Sequence, residues 1–186
     1  MSETMETHEH AQHAAESGRR GSALLIAVVA AGLAFAEQGA QHAQTAMSAH
    51  AVSAADLWAQ YQAKSIRANQ SKDLASVAAV FAPAGPEKDA LVKRLQDDAV
   101  HFESDPKTGK PAIAAHAKAE EEARDAAHER LEAYENGAAL LQLAIVLTTA
   151  SVIAESRLLL LGGFVVGVVG GVVALLGLLD PAIMAW

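Results

Sequence analysis

Three long apolar runs, one near the beginning of the chain and two near its end, limit the folds open to this sequence. The first covers residues 22–36 and, extended through Ala40, reaches about 20 residues, which crosses roughly 30 Å of hydrocarbon. The second covers residues 138–154 and the third residues 158–179, where no side chain is charged. Backbone in lipid must form its hydrogen bonds internally. The sequence therefore predicts an all-α membrane protein with three transmembrane helices.

Composition argues against a soluble globule of the same length. The 186 residues are 52% hydrophobic but only 4% aromatic, and much of the apolar content is alanine, which buries little area per residue. The net charge of −8 argues against nucleic acid binding, which needs a basic surface. The absence of cysteine excludes disulfides, thiolate chemistry and cysteine-based metal sites.

The segment between the first two runs is helical in character. Proline and glycine break it at 82–86 (APAGP) and 104–111 (SDPKTGKP), and the helices on either side carry stripes at a spacing of three or four. The first stripe comprises Met47, Ala51, Ala54, Trp58, Tyr61, Ser65, Ala68, Ala75 and Ala79. The second comprises Ile113, His116, Ala119, Ala123, Ala127, Leu131 and Tyr134. We expect the two arms to pair as an extramembrane antiparallel helical hairpin.

The domain plan follows from these segments. We predict a mobile polar tail (1–20), transmembrane helix 1 (21–40), an extracytoplasmic helical hairpin (41–137) with a short amphipathic helix (87–103), transmembrane helix 2 (138–155) and transmembrane helix 3 (158–180).

Arginines near the ends of the runs predict the orientation. Arg19 and Arg20 precede the first run and Arg157 separates the second from the third, so three crossings place all of them on one side. Positive flanks favour the cytoplasm, whereas long loops translocate largely regardless of charge. We therefore expect a cytoplasmic N-terminus. A rival reading is signal-peptidase cleavage after residues 34–36 (AFA), which the long acidic segment before the run disfavours.

Glycines four residues apart give the third run its sharpest pattern. Gly163, Gly167 and Gly171 form a GxxxGxxxG series, joined by Gly170. Small residues at this spacing let helix backbones approach closely in lipid. Two alternatives stay open at this point: packing of the third helix within the chain, and a contact between subunits.

A few polar residues are candidates for other roles. Glu37 and Gln142 lie at similar predicted depth, and they predict either a hydrogen bond inside the bundle or part of an ion path. The glutamates at 120–122 predict a solvated face with an ion pair between Glu120 and Arg124.

The histidines are weak metal candidates. His8, His10 and His13 could gather a metal, although their spacing matches no defined motif, and His42 and His50 are eight residues apart on one arm. No catalytic triad, phosphate-binding loop or HExxH sequence is present, so neither a cofactor nor an enzyme is expected.

Three stretches resemble a known family. They are DLWAQYQAKSIR at 56–67, the His/Glu-rich tail before the first run, and AALLQLAIVLTTASVIAESRLLLLGG at 138–163. Together they are similar to the bacterial family called domain of unknown function 4337. The resemblance implies a small inner-membrane protein of unknown function, and it supplies no catalytic residues.

The leading functional hypothesis is a non-enzymatic assembly or scaffold protein of the bacterial inner (cytoplasmic) membrane, with membrane lipid and further copies of itself as partners. Thin alanine-rich arms and a glycine groove both favour packing of several subunits. One alternative is an oligomeric pore or small transporter, lined by Gln142, Thr148, Thr149 and Ser151. Another is an accessory subunit of a larger membrane complex.

Overall fold

The computed structural model describes residues 2–179, with side chains from Arg20 to Leu178. It contains four helices: α1 (Ser2–Phe81), α2 (Pro86–Ser104), α3 (Lys110–Ala154) and α4 (Arg157–Leu179). Within the described range no residue belongs to a strand. The all-helical prediction is therefore confirmed. The predicted polar tail falls in the first part of α1, and its side chains lie outside the described ones.

Three of the four helices are long and apolar enough to cross a membrane by length and composition. They are α1, α3 and α4, and they contain the three apolar runs. Much of their apolar surface points away from the protein. Val28 is 62% exposed, and Ile153 and Leu158 on either side of the α3–α4 turn are each 82% exposed. No described residue covers these faces.

The breaks between helices follow from local chemistry. Proline begins α2 at Pro86, where its missing N–H costs no helix hydrogen bond. Between α2 and α3, the Asp105 carboxylate accepts hydrogen bonds from the backbone N–H groups of Lys107 (2.9 Å) and Thr108 (2.7 Å). A methyl group on Gly109 would lie 2.5 Å from the Asp105 carbonyl oxygen, so only glycine fits there. Glu155, with a φ of 48°, ends α3 in the left-handed region.

Burial along α1 follows a seven-residue repeat. The buried positions are separated by 7, 7, 7, 11, 14 and 7 residues: Ser22, Val29, Ala36, Ala43, Ala54, Ala68 and Ala75. Seven residues turn an α-helix by nearly two full turns, and eleven by nearly three, so all of these side chains stay on one face. Most of them are alanine. This face therefore allows close approach of a neighbouring backbone.

Burial along α3 follows the same repeat on three neighbouring rows. One row contains Ile113, Ala127, Tyr134, Leu141 and Thr148, a second contains Ala117, Leu131 and Ala138, and a third contains Gly137, Ala144 and Ser151. Steps within each row are multiples of seven. Side chains in such rows alternate at spacings of four and three, as in helices that pack along their length.

The chain divides into two compact units. One consists of residues up to Thr45 together with residues from Ala126 onward, and the other of residues Ala46–Asp125. In the first unit, the rings of Phe35 and Tyr134 meet edge to face with centroids 6.4 Å apart. A methyl group on Gly39 would lie 2.5 Å from the Tyr134 ring. Close packing of α1 on α3 in this unit therefore depends on glycine at position 39.

The second predicted stripe is confirmed at Ile113, Ala127, Leu131 and Tyr134, which are buried, and wrong at His116 and Ala119. His116 and Ala119 are exposed, whereas Ala117 is fully buried. The reason is rotation: six residues from Ile113 to Ala119 turn a side chain about 120° from the starting face, whereas the four residues to Ala117 turn it only about 40°. The first stripe is confirmed at Ala54, Ala68 and Ala75, which are buried, and wrong at Ala79, which is exposed.

Substitution of Ala117 tests this register. Ala117→Trp places a large ring at a position with no exposed surface, and overpacking of this kind costs about 1–3 kcal/mol. Ala119→Trp is the matched control, since the same ring enters solvent two residues away. We expect a lower thermal unfolding midpoint for Ala117→Trp alone, followed by circular dichroism. Equal midpoints for the two variants would contradict the register.

Candidate functional site

The inward face of α4 consists almost entirely of glycine. Its buried positions alternate at spacings of four and three: Gly163, Gly167, Gly170, Ala174 and Gly177. No side chain larger than a methyl group separates this face from its neighbours, whereas the opposite face carries valine, leucine and phenylalanine. We call these five positions the glycine face.

Contacts of the glycine face are at backbone distance. A methyl group on Gly170 would lie 2.8 Å from the Cβ of Leu140 and 3.0 Å from the backbone nitrogen of Leu141. The contact is reciprocal, because a methyl group on Gly137 would lie 2.8 Å from the backbone nitrogen of Ala174. A methyl group on Gly167 would lie 3.2 Å from a methyl carbon of Val29. The face therefore packs against α3 and touches α1 in the same unit.

Buried hydroxyls opposite the glycine face are satisfied inside their own helix. Thr148 is fully buried against Gly163, and its hydroxyl donates to the carbonyl of Ala144 at 2.8 Å. The hydroxyl of Ser151 donates to the carbonyl of Thr148 at 2.6 Å. Thr149 is exposed and donates to Ile145 at 2.7 Å. Each of these hydroxyls thus donates a hydrogen bond to a backbone carbonyl of its own helix.

The predicted glycine series is placed only in part on this face. Gly163, Gly167 and Gly170 belong to it, but a methyl group on Gly171 would meet nothing within 4 Å. Eight residues from Gly163 to Gly171 rotate the side chain by about 80°, whereas seven rotate it by about 20°. Sequence reasoning also missed Ala174 and Gly177, which the alternating spacing would have found.

A shallow groove holds the two polar residues predicted at membrane depth. It encloses about 370 Å³, and its lining includes Glu37 and Gln41 of α1 with Glu135 and Gln142 of α3. The predicted hydrogen bond between Glu37 and Gln142 is not formed among the described side chains, although both residues line the groove. Gln38 instead bonds to His42 at 2.9 Å on α1.

Polar contacts join α1 and α3 in the second unit. The ring Nδ1 of His50 lies 2.7 Å from a carboxylate oxygen of Glu120, and the indole N–H of Trp58 donates to Glu121 at 2.9 Å. The predicted pair between Glu120 and Arg124 is wrong, because Arg124 pairs with Asp125 at 2.7 Å. Two of the three glutamates predicted as a solvated face therefore hold the helices together.

Ion pairs and hydrogen bonds shift two carboxyl groups in the second unit. A short hydrogen bond from Lys72 lowers the pKa of Glu103 below its usual value, and Lys110 at 3.5 Å adds to this effect. Backbone N–H groups of Thr108 and Lys107 lower the pKa of Asp105. A carboxyl group whose pKa is lower in the folded chain than in the unfolded chain stabilises the folded state at pH values above the unfolded-state pKa. That contribution is lost as pH falls through the folded-state pKa.

Large apolar side chains cluster where α1 ends and α2 begins. Leu74, Val77, Val80, Phe81 and Leu91 are between 47% and 81% exposed. We call these residues the tip cluster. Four of them line a groove of about 440 Å³ that also includes Leu95. The cluster lies far along the chain from all three apolar runs.

The described side chains offer no group of three or more His, Asp or Glu residues that could hold a metal ion. His8, His10 and His13 lie outside the described side chains, so their metal hypothesis stays a prediction. His42 and His50 have different partners, Gln38 and Glu120.

The fold and its contacts define an all-helical protein with three helices that are apolar and long enough to cross a membrane. The chain belongs to the family described as Domain of unknown function (DUF4337), which matches residues 19–180. This confirms the family resemblance found in the sequence. No curated protein and no solved structure matches the chain.

Two neighbouring glycines allow a matched test of the glycine face. Gly170→Leu would drive a side chain into Leu140 and the α3 backbone, so we expect a loss of stability of about 3 kcal/mol or more. Gly171→Leu enters open space, so it should change stability by less than about 0.5 kcal/mol. Denaturation in detergent followed by circular dichroism measures both. Equal losses would contradict the described face of α4.

Proposed function

We propose that the protein is a non-enzymatic scaffold of a bacterial inner membrane and assembles as a homo-oligomer through its extramembrane arms. The observation that carries this proposal is the tip cluster. Its apolar side chains belong to the part of the chain that we assign to water, where an exposed patch of this kind is typical of a protein–protein interface.

Charges on α2 support a second copy of the chain as the partner. Lys93 and Arg94 are exposed one turn before Asp97 and Asp98, which are also exposed. Two antiparallel copies of such a helix place opposite charges face to face. A symmetric contact uses the same patch on both subunits, so it requires this self-complementarity.

The proposed architecture is an antiparallel helical hairpin standing on three membrane spans. Three contacts in the second unit pair residues in reverse order, since the residue numbers fall along α1 while those of the partners rise. Lys72 pairs with Glu103, Tyr61 contacts Lys110 and Trp58 bonds to Glu121. Seven-residue burial on α1 and α3 supports packing as a coiled coil. In this architecture the apolar outer faces of α1, α3 and α4 contact lipid.

The proposed orientation has a cytoplasmic N-terminus and an extracytoplasmic hairpin. Arg20 and Arg157 flank the apolar parts of α1 and α4 at ends that three crossings place on the same side. Basic residues next to spans favour the cytoplasmic side.

An oligomeric pore is the second candidate. The groove of Glu37, Gln41, Glu135 and Gln142 favours it, because oxygen-lined surfaces attract cations. Against it, Thr148 and Ser151 are buried and bonded within α3, so they are not available to line a path. Steady currents in planar bilayers that Glu37→Gln reduces would favour the pore over the scaffold.

Removal of apolar surface at the tip tests the proposed assembly. Phe81 is 81% exposed, and Phe81→Glu places a charge in the proposed contact. We expect the wild-type chain to form one defined oligomer in lipid discs and Phe81→Glu to shift it toward monomer. Native mass spectrometry reads the copy number.

Ala79→Glu is the matched control, since it adds the same charge on the same exposed helix end without lining the groove. It should leave the oligomer intact. A monomeric wild-type chain would contradict the proposal. Unrelated chains present at fixed stoichiometry would instead favour an accessory subunit of a larger complex.

A further inference from the structure

An apolar groove runs between α1 and α4 in the first unit. It encloses about 840 Å³, and its walls include Leu24 and Val28 of α1 with Leu161 and Phe164 of α4. These four side chains are 51–68% exposed. The volume lies within the range of roughly 300–1,000 Å³ that is usual for small-ligand sites. A hydrocarbon chain suits walls of this composition.

One end of the groove is positively charged, where α4 begins. Arg157, the first residue of α4, lines it together with Ser22, and Arg20 immediately precedes its lining residue Gly21. Among the described side chains Arg157 has no ion-pair partner. Glu155, the nearest acid in sequence, does not belong to the lining. A cationic group beside an apolar channel is complementary to an anionic amphiphile.

We propose that this groove binds an anionic phospholipid, with one acyl chain along Leu24, Val28, Leu161 and Phe164 and the phosphate at the Arg157 guanidinium. Arginine binds phosphate through paired N–H donors, and basic pockets between membrane helices bind anionic headgroups. The inference rests on the proposed membrane function, because α1 and α4 must lie in lipid for the groove to receive an acyl chain.

Quenching of tryptophan by brominated lipid tests the site in the full-length chain. Trp58→Phe and Trp186→Phe remove the native tryptophans, and Phe164→Trp places one probe in the groove. Val172→Trp is the matched control, because Val172 has the same 51% exposure as Phe164 on the same helix but does not line the groove. Brominated phosphatidylglycerol is compared with brominated phosphatidylcholine in the same discs.

We expect the probe at position 164 to favour phosphatidylglycerol by about fivefold in relative affinity, since one arginine near an anionic lipid contributes about 1 kcal/mol. Arg157→Gln should reduce this ratio toward one, and Arg157→Lys should keep part of it. At position 172 the ratio should be near one. Comparing the two lipids at a single position removes the effect of probe depth.

Each contrary result has its own meaning. Equal quenching by both lipids at position 164, or the same preference at both positions, would overturn the lipid site and leave the spans intact. Quenching at position 172 but not at 164 would show that protein fills the groove, as a helix from a second copy would. Absence of quenching at both positions would overturn the membrane spans and the lipid site together.

Discussion

Close packing of small side chains along α1 and α3 is the constraint on which the rest of the structure depends. Buried alanines recur on α1 at intervals of seven or fourteen residues with one interval of eleven, and α3 presents rows with the same seven-residue repeat. Both intervals keep side chains on one face of a helix. Because alanine buries little area, stability must come from close contact along a great length rather than from a thick core.

Larger residues then fix the register of this packing within each unit. Tyr134 fills the space that Gly39 leaves open, and Leu141 packs over Gly32 with methyl carbons 3.8 Å from the glycine's missing Cβ. In the other unit His50 and Trp58 bond to neighbouring glutamates. A shift of one residue along either helix would separate these pairs. Specific contacts of a few large or polar side chains thus complement a uniform alanine surface.

The glycine face of α4 packs in the same way, on a helix whose described side chains form no hydrogen bond or ion pair with another helix. In the proposed membrane setting, lipid gives helices no hydrophobic driving force to associate, so close van der Waals packing must hold them together. Gly163 and Gly170 bring the backbones of α3 and α4 within contact distance. The large apolar side chains of α4 are then left on its outer face, where lipid is the proposed partner. For the tip cluster on α1 and α2, the proposed partner is a second subunit.

The sequence alone predicts the elements whose positions a local signal decides. Proline and glycine at 82–86 and 104–111 ended helices where expected, and apolar runs marked the three candidate spans. The sequence does not predict correctly which side chains rotate onto the buried face of a helix. The four-residue spacing groups Gly171 with Gly163, although Gly171 faces open space, and the predicted stripe includes His116, although Ala117 is the buried residue.

The pairing of polar side chains between helices also cannot be predicted from the sequence of one helix. The spacing of four predicts Arg124 as the partner of Glu120, but the Nδ1 of His50 on α1 lies 2.7 Å from the Glu120 carboxylate. The sequence of one helix contains no information on which residues of another helix lie opposite. A helix neighbour four residues away is therefore only the default partner, and tertiary contact overrides it.

The most direct test of the central claim is a thiol cross-link between α1 and α3, made on the cysteine-free background of this chain. His50→Cys with Glu120→Cys joins two side chains that touch in the structure. His50→Cys with Ile113→Cys is shifted by one seven-residue repeat, about 10 Å along the helix. We predict a rapid cross-link within one chain for the first pair alone. Equal cross-linking of both pairs, or linking of the shifted pair instead, would contradict the packing of α1 on α3.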